Sequence, residues 1–302
     1  MKTKQANTIH QLAAIATLTL AVVALLAFST PSCADTLYVG SAGSTIQTFT
    51  PDGVGSLFAS FASGLNNVRG LAFDSFGNLY AANSGTIMKF TPGGVGSVFA
   101  SSGLNDPQGL AFDSAGNLYV ANFTDNMIEK FTPGGVGSVF ANSGLTAPHG
   151  VAVDGAGNVY VANLVGSYIE KYTPGGVGSF FANGGLSNPQ GLAFDRAGNL
   201  YVASSRNNRI VEFTPDGVGS VFANSGLDQP LGLAFDSAGN LYAANYHNGA
   251  IEKFTPGGIG SLFASDDRFL GLTSLAIIPE PSAQALLGLG LTALLAFYRS
   301  KV

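Results

Sequence analysis

Histidine, cysteine and carboxylate side chains are the usual instruments of protein chemistry, and here they are few. The 302 residues contain three histidines and one cysteine. Beyond residue 34 only His149 and His247 remain, whereas a zinc-dependent site wants about three clustered ligands. Asp125 is a third ligand in principle, yet nothing in the spacing brings it to the two histidines. A cation held by oxygen atoms has more to draw on. An Asn recurs at Asn83, Asn122, Asn163 and Asn245, with Ser41 and Ser204 in its place in two further copies. The simpler reading of that Asn is a loop-capping hydrogen bond, and no glutamate accompanies it. Glu129, Glu170, Glu212 and Glu252 fall in a repeated strand, where alternation with Lys130, Lys171 and Lys253 predicts a solvated outer face. There is no Ser/His/Asp grouping, phosphate-binding loop or CxxC pair. The residues argue against catalysis, and no cofactor is expected unless a divalent cation serves.

The elements that carry these residues repeat. Gly-Leu-Ala-Phe-Asp stands at 70–74, 109–113, 191–195 and 232–236, with Gly-Val-Ala-Val-Asp at 150–154, giving Asp-to-Asp spacings of 39, 41, 41 and 41. Each copy continues through x-x-Gly-Asn-(Leu/Val)-Tyr and later Thr-Pro-x-Gly-(Val/Ile)-Gly-Ser-x-Phe-Ala. One unit predicts four strands: a at 109–113, b at 117–122, c at 127–132 and d at 138–141. The Asp of strand a bonds the following turn, and Pro and Gly supply the other hairpin signals. Four antiparallel strands in about 41 residues is the measure of a propeller blade, a β-solenoid being the competing fold.

The segment 36–59 has strands b, c and d but no a of its own. The stretch 271–275 supplies it, aligned as Gly-Leu-Thr-Ser-Leu with Gly-Leu-Ala-Phe-Asp. The expectation is an all-β, six-bladed β-propeller over residues 35–278, closed by pairing N-terminal strands b, c and d with a C-terminal strand a.

Binding should break the symmetry, and the residue before the first Gly of strand a does so. It runs Arg69, Gln108, His149, Gln190, Leu231 and Leu270, a polar arc of four and an apolar arc of two around the channel mouth. The b–c loops of the same face also vary and offer Asp125, Arg206, Tyr246 and His247, while Phe61-Ala62 is inserted in the first d–a loop. This face is the expected ligand-binding surface, unless these are ordinary variable loops.

The string Pro-x-Gly-(Leu/Val)-Ala-(Phe/Val)-Asp-x-x-Gly-Asn-(Leu/Val)-Tyr-Val-Ala-Asn is similar to the NHL repeat and covers nearly all of 36–278. The resemblance implies a propeller whose relatives include surface binding modules, peptide-amidating lyases, streptogramin lyases and gluconolactonase-like hydrolases. Pro148-His149-Gly150 looks like the Pro-His-Gly of the lyase relatives, but occurs once.

The two ends read as targeting segments. Met1-Lys2-Thr3-Lys4, an apolar run over 12–28 and Ser32-Cys33-Ala34 fit a signal peptide of residues 1–34, an uncleaved anchor helix being the alternative. At residues 279–302, Pro279-Glu280-Pro281 precedes an apolar stretch and the basic Arg299 and Lys301. Residues 282–298 reach about 26 Å as a helix, a short membrane span. The arrangement resembles the PEP-CTERM sorting signal of Gram-negative bacteria; a plain membrane anchor is the alternative. The resemblance implies an exosortase-type sorting enzyme as partner, two flanking hydrophobic helices, export across the inner membrane, and a surface or extracellular site in a polysaccharide or biofilm matrix. Residues 35–281 hold 9 Lys and Arg against 18 Asp and Glu, a net charge of −9, which argues against nucleic acid. The function expected is a non-catalytic binding or scaffold propeller for polysaccharide or a surface protein. A metal-dependent lactone hydrolase or lyase is the alternative, and a spacer without ligand a third reading.

Overall fold

Runs rich in Val, Tyr and Phe between Asp-x-x-Gly-Asn and Pro-x-Gly turns favour strands over helices. In the computed structural model, which describes residues 35–265 and 271–278, they form 24 strands in six four-stranded sheets. The third blade comprises strands a (Pro107–Phe112), b (Leu118–Asn122), c (Met127–Phe131) and d (Gly137–Ala141). Strand a lines the central channel, and strand d lies outermost, exposing Val139. The hydrophobic helices expected at either end lie outside the described residues.

The ring closes through its termini: Leu272–Ile278 pairs antiparallel with Thr36–Ser41. The register of that strand corrects the sequence alignment by three residues. Tyr38 pairs with Ala276 as Tyr119 pairs with Ala111, so Ser274, not Gly271, holds the glycine position. Thr273, not Leu270, therefore completes the ring of residues at the channel mouth.

The glycines of strand a are required by packing. A Cβ on Gly70, Gly109, Gly150 or Gly191 would stand 2.0–2.4 Å from a carbonyl oxygen of the next inner strand, at Gln108, His149, Gln190 and Leu231 respectively. No side chain fits at that separation. The first blade carries Ser274 in place of that glycine. Where other blades have Ala in strand b (Ala82, Ala121, Ala162, Ala203, Ala244), the first has Gly40, and a Cβ there would meet Ser274 Oγ at 2.6 Å. The serine side chain thus fills the space that an alanine methyl fills elsewhere.

Adjacent blades meet in six hydrophobic clusters among the described residues. A β-bulge builds each seam. Ile128 and Glu129 of strand c face Ala141 and Val139, leaving Phe140 as the extra residue of strand d. Its ring packs edge-on against Tyr119 of its own blade at 4.9 Å and reaches Tyr172 of the next at 6.1 Å. Phe58, Phe99, Phe181, Phe222 and Phe263 repeat the arrangement at the other seams.

The expectation of a solvated glutamate face fails. Glu129, Glu170 and Glu252 are 6%, 8% and 9% exposed, because each d–a loop folds a glycine over strand c. A Cβ on Gly103 would lie 2.8 Å from Glu129 Oε1. Burial raises the pKa of all three carboxyls. Glu212 is not their counterpart: it pairs with Tyr201 as Lys130 pairs with Tyr119, so Val211 takes the buried position.

The Gly40–Ser274 exchange makes a prediction. Gly40→Ala should destabilise the propeller by about 1–3 kcal/mol through overpacking against Ser274. Adding Ser274→Gly should recover part of that loss, a contact with Val68 Cγ1 at 2.8 Å remaining, read as a coupling energy in denaturant unfolding; additive effects would contradict the exchange.

Candidate functional site

The mouth face is built by side chains that brace loops. Strand b ends in an amide that reaches the d–a loop of its own blade: Asn122 Nδ2 donates to Gly103 O (2.5 Å), and Asn122 Oδ1 accepts from Asn105 N–H (3.4 Å). Asn245 does the same with Gly226 O (2.8 Å) and Asp228 N–H (3.1 Å), and Ser204 Oγ accepts from Ser187 N–H (2.8 Å). The recurring Asn is thus a loop cap. Backbone bonds then join the two loops, as from Phe123 N–H to Asp106 O and Leu164 N–H to Ala147 O.

A second brace, which the sequence reading missed, links one blade to the next. Ser44 Oγ accepts from Asn67 N–H (2.9 Å), Asn126 Oδ1 from Ala147 N–H (2.6 Å), Ser167 Oγ from Asn188 N–H (3.2 Å) and Asn208 Oδ1 from Gln229 N–H (2.8 Å). Both partners in each bond have φ between 51° and 63°. The signal was available: these residues stand two before the repeated Ile of strand c, where the other two blades have Gly85 and Gly249.

Of the mouth residues named from sequence, Arg69, His149 and Leu231 line the central cavity, together with Thr273, Ser274 and the inner-strand glycines. Its volume is ≈ 60 Å³. Gln108 and Gln190 hold the same backbone position but are buried, and Oε1 of each lacks a hydrogen-bond partner. The loop residues are not gathered with them. Asp125 accepts from Asn105 Nδ2 (2.8 Å) on the third blade. Arg206 is exposed on a short turn of the fifth, Ser205–Asn207. On the sixth, the rings of Tyr246 and His247 lie 5.8 Å apart, and His247 Nδ1 is 3.5 Å from Asp228 Oδ1. Among the described residues no three His, Cys, Asp or Glu side chains converge on a metal position. The combination of His149, His247 and Asp125 is therefore not assembled. The sorting residues Pro279, Glu280, Pro281 and Arg299 lie outside the described residues.

Electrostatics set the cavity apart. Burial, reinforced by the positive charge of Arg69, pushes the His149 imidazole down to about 4. With the Asn67 amide oxygen turned toward it, Arg69 donates to that oxygen from Nε (3.1 Å) and Nη2 (3.0 Å). Arg69 makes no ion pair among the described residues. Three lysines near the a–b turns are matched: Lys89, Lys130 and Lys253 each lie 3.6–3.9 Å from an Asp of the turn and over a Tyr ring. At that opposite face Asp113 accepts from Ala115 N–H, Asn117 N–H and Asn117 Nδ2. Burial works against its charge, but these bonds and Lys130 hold the carboxyl below its usual range. The a–b face is a structural device repeated from blade to blade.

Residues 186–213 match the NHL repeat. No curated protein matches the chain in sequence. Among solved structures, a chain of a nidogen/laminin complex is similar at 20% identity and a TM-score of 0.73, over 82% of this chain and 99% of that one. A catalytically inactive virginiamycin B lyase from Staphylococcus aureus with quinupristin is similar at 14% identity and a TM-score of 0.62, over 83% and 94%. A streptogramin B lyase is similar at 17% identity and a TM-score of 0.58, over 76% and 74%. At these identities the likeness is one of fold.

Two predictions follow from the geometry. Asn126→Gly, which keeps the positive φ without strain as Gly85 and Gly249 do, should cost about 1 kcal/mol in denaturant unfolding by removing an inter-blade hydrogen bond; no change would mean that the brace carries no stability. His149 stays neutral in the folded ring down to about 4, while the unfolded imidazole protonates near 6.5. Its contribution to stability is complete above the unfolded value and is lost as pH falls toward 4. The raised glutamates have the opposite sign, losing stability as pH rises through their folded values. Melting of His149→Gln against wild type across that window should isolate the histidine and show a shallower loss on acidification.

Proposed function

We propose that this six-bladed NHL-repeat propeller is a binding or scaffold module that takes its ligand on the channel-mouth face. One observation carries the reading. Five blades keep the same Asp-Asn-Tyr apparatus at the a–b face, while at the mouth the same backbone frame presents Arg, Gln, His, Gln, Leu and Thr around the ring. Identity serves the ring; divergence on braced loops serves recognition. Exposed Arg206 and His247 and half-buried Tyr246 supply polar and aromatic contact on two neighbouring blades. The same architecture occurs in a nidogen/laminin complex.

The setting belongs to this proposal as well. The basic and apolar start of the chain supports export across the inner membrane. Pro279-Glu280-Pro281, the apolar stretch and Arg299 support handling by an exosortase-type enzyme at the envelope. The ligand is then a matrix polysaccharide or another surface protein. A second reading, a metal-dependent lyase or lactone hydrolase, draws on His149 in the cavity that Arg69 also lines, in a fold shared with virginiamycin B lyase.

The test is co-sedimentation of the purified protein with envelope and exopolysaccharide fractions. Retention should fall several-fold in the triple substitution of Arg206, Tyr246 and His247 to Ser and stay at wild-type level in Arg196→Gln on the a–b face. Equal retention of both variants would remove the mouth face from the proposal. A stoichiometric divalent metal, with lactone or streptogramin turnover abolished by His149→Ala, would establish the second reading instead.

A further inference from the structure

We infer that the central cavity is a receptor for a single carboxylate group, with Arg69 as its ligating residue. The inference rests on the binding reading above and names the chemistry taken at the axis of that face.

Arg69 and His149 are the ionisable residues among those lining the cavity; the rest are Gly, Leu, Val, Thr and Ser. The histidine is neutral above about 4, so the cavity holds one unmatched positive charge in a chain whose residues 35–281 carry a net −9. No acidic side chain lines the cavity to neutralise that charge, which draws a counter-ion from outside. The guanidinium is also aimed in advance. Asn67 accepts from Nε and Nη2 of Arg69, and Asn67 is itself pinned by the bond from its N–H to Ser44 Oγ at 2.9 Å. Of five N–H donors two are used, and three remain for an incoming acceptor.

Size and charge select the acceptor. A cavity of ≈ 60 Å³ holds roughly four waters' worth of volume, enough for a carboxylate and its first carbons but not a sugar ring. A dianionic phosphate would leave a charge uncompensated, whereas the planar guanidinium fork matches a carboxylate. The rest of such a ligand would lie across the mouth. An anion at Arg69 also favours a proton on His149, the other ionisable group of the cavity. Gln108 and Gln190, at its position on the neighbouring inner strands, are uncharged. Affinity should therefore rise as pH falls from about 7.5 to about 5, until the ligand's own carboxyl protonates.

The experiment is an NMR titration of the His149 imidazole in the full-length protein with acetate, glucuronate and neutral glucose as probes. Acetate and glucuronate should give saturable shifts and raise the His149 pKa toward 6.5, and glucose should do neither. Arg69→Gln should weaken carboxylate binding about tenfold or more, Arg69→Lys less, and Arg196→Gln not at all. The wild-type titration is decisive even where Arg69→Gln folds poorly. Absence of a saturable shift in wild type, or equal shifts in Arg69→Gln, overturns the inference. If carboxylates fail while the mouth variants still lose envelope retention, the binding module stands without this site; if retention fails too, both fall.

Discussion

Six inner strands converge on one axis so closely that their backbones nearly touch, and most other features follow from that approach. A hypothetical Cβ at Gly150 would lie 2.0 Å from the carbonyl oxygen of Gln190. Glycine on strand a of five blades therefore answers a steric demand, not one of flexibility, and only the terminal strand carries a serine, Ser274, at that position. The same crowding keeps the cavity at ≈ 60 Å³, which excludes a drug-sized ligand from its interior. Recognition must then occur across the mouth, with at most a small group reaching inward.

Closure at the axis leaves the wedge-shaped gaps between blades to be filled farther out. The bulge in strand d does this by turning an aromatic residue out of the alternating pattern and into the seam. Edge-to-face pairs such as Tyr160 with Phe181 and Phe194, both at 5.0 Å, each contribute on the order of 1 kcal/mol beyond simple burial. Six such seams replace a single core. The arrangement explains why the terminal strand matters: without Leu272–Ile278 the first blade has no inner strand, and the seams on both its sides lose a wall.

Much of this was legible from the sequence because a 41-residue period fixes blade number and strand order together. The fold, the split blade and the Asp-turn and Asn-cap bonds all rest on residues that recur. What escaped were features that depend on register or on neighbours. Thr273-Ser274-Leu275-Ala276 departs from the repeat at its glycine, so the glycine at 271 attracted the alignment; only pairing with Tyr38 places Ser274 correctly. The Glu-Lys alternation suggested a wet face because periodicity cannot show a loop folding over strand c. The inter-blade brace hid in a Ser or Asn that looks like ordinary loop chemistry. At the mouth, sequence identified the varying residues but not that Arg69 and His149 share the cavity while Gln108 and Gln190 are packed away.

The contrast between the two faces bears on how a repeat protein acquires a function. At the a–b face a carboxylate, an amide and, in most blades, a lysine neutralise one another locally, so duplication of the blade duplicates a satisfied unit. At the axis no such local balance is available, because each blade contributes one residue to a shared space. A change in a single blade, such as arginine at 69 or histidine at 149, alters the charge of the whole channel without disturbing any seam. An unmatched arginine persists there because the braced Asn67 holds it in orientation and His149, two blades on in the same cavity, gives up its own charge.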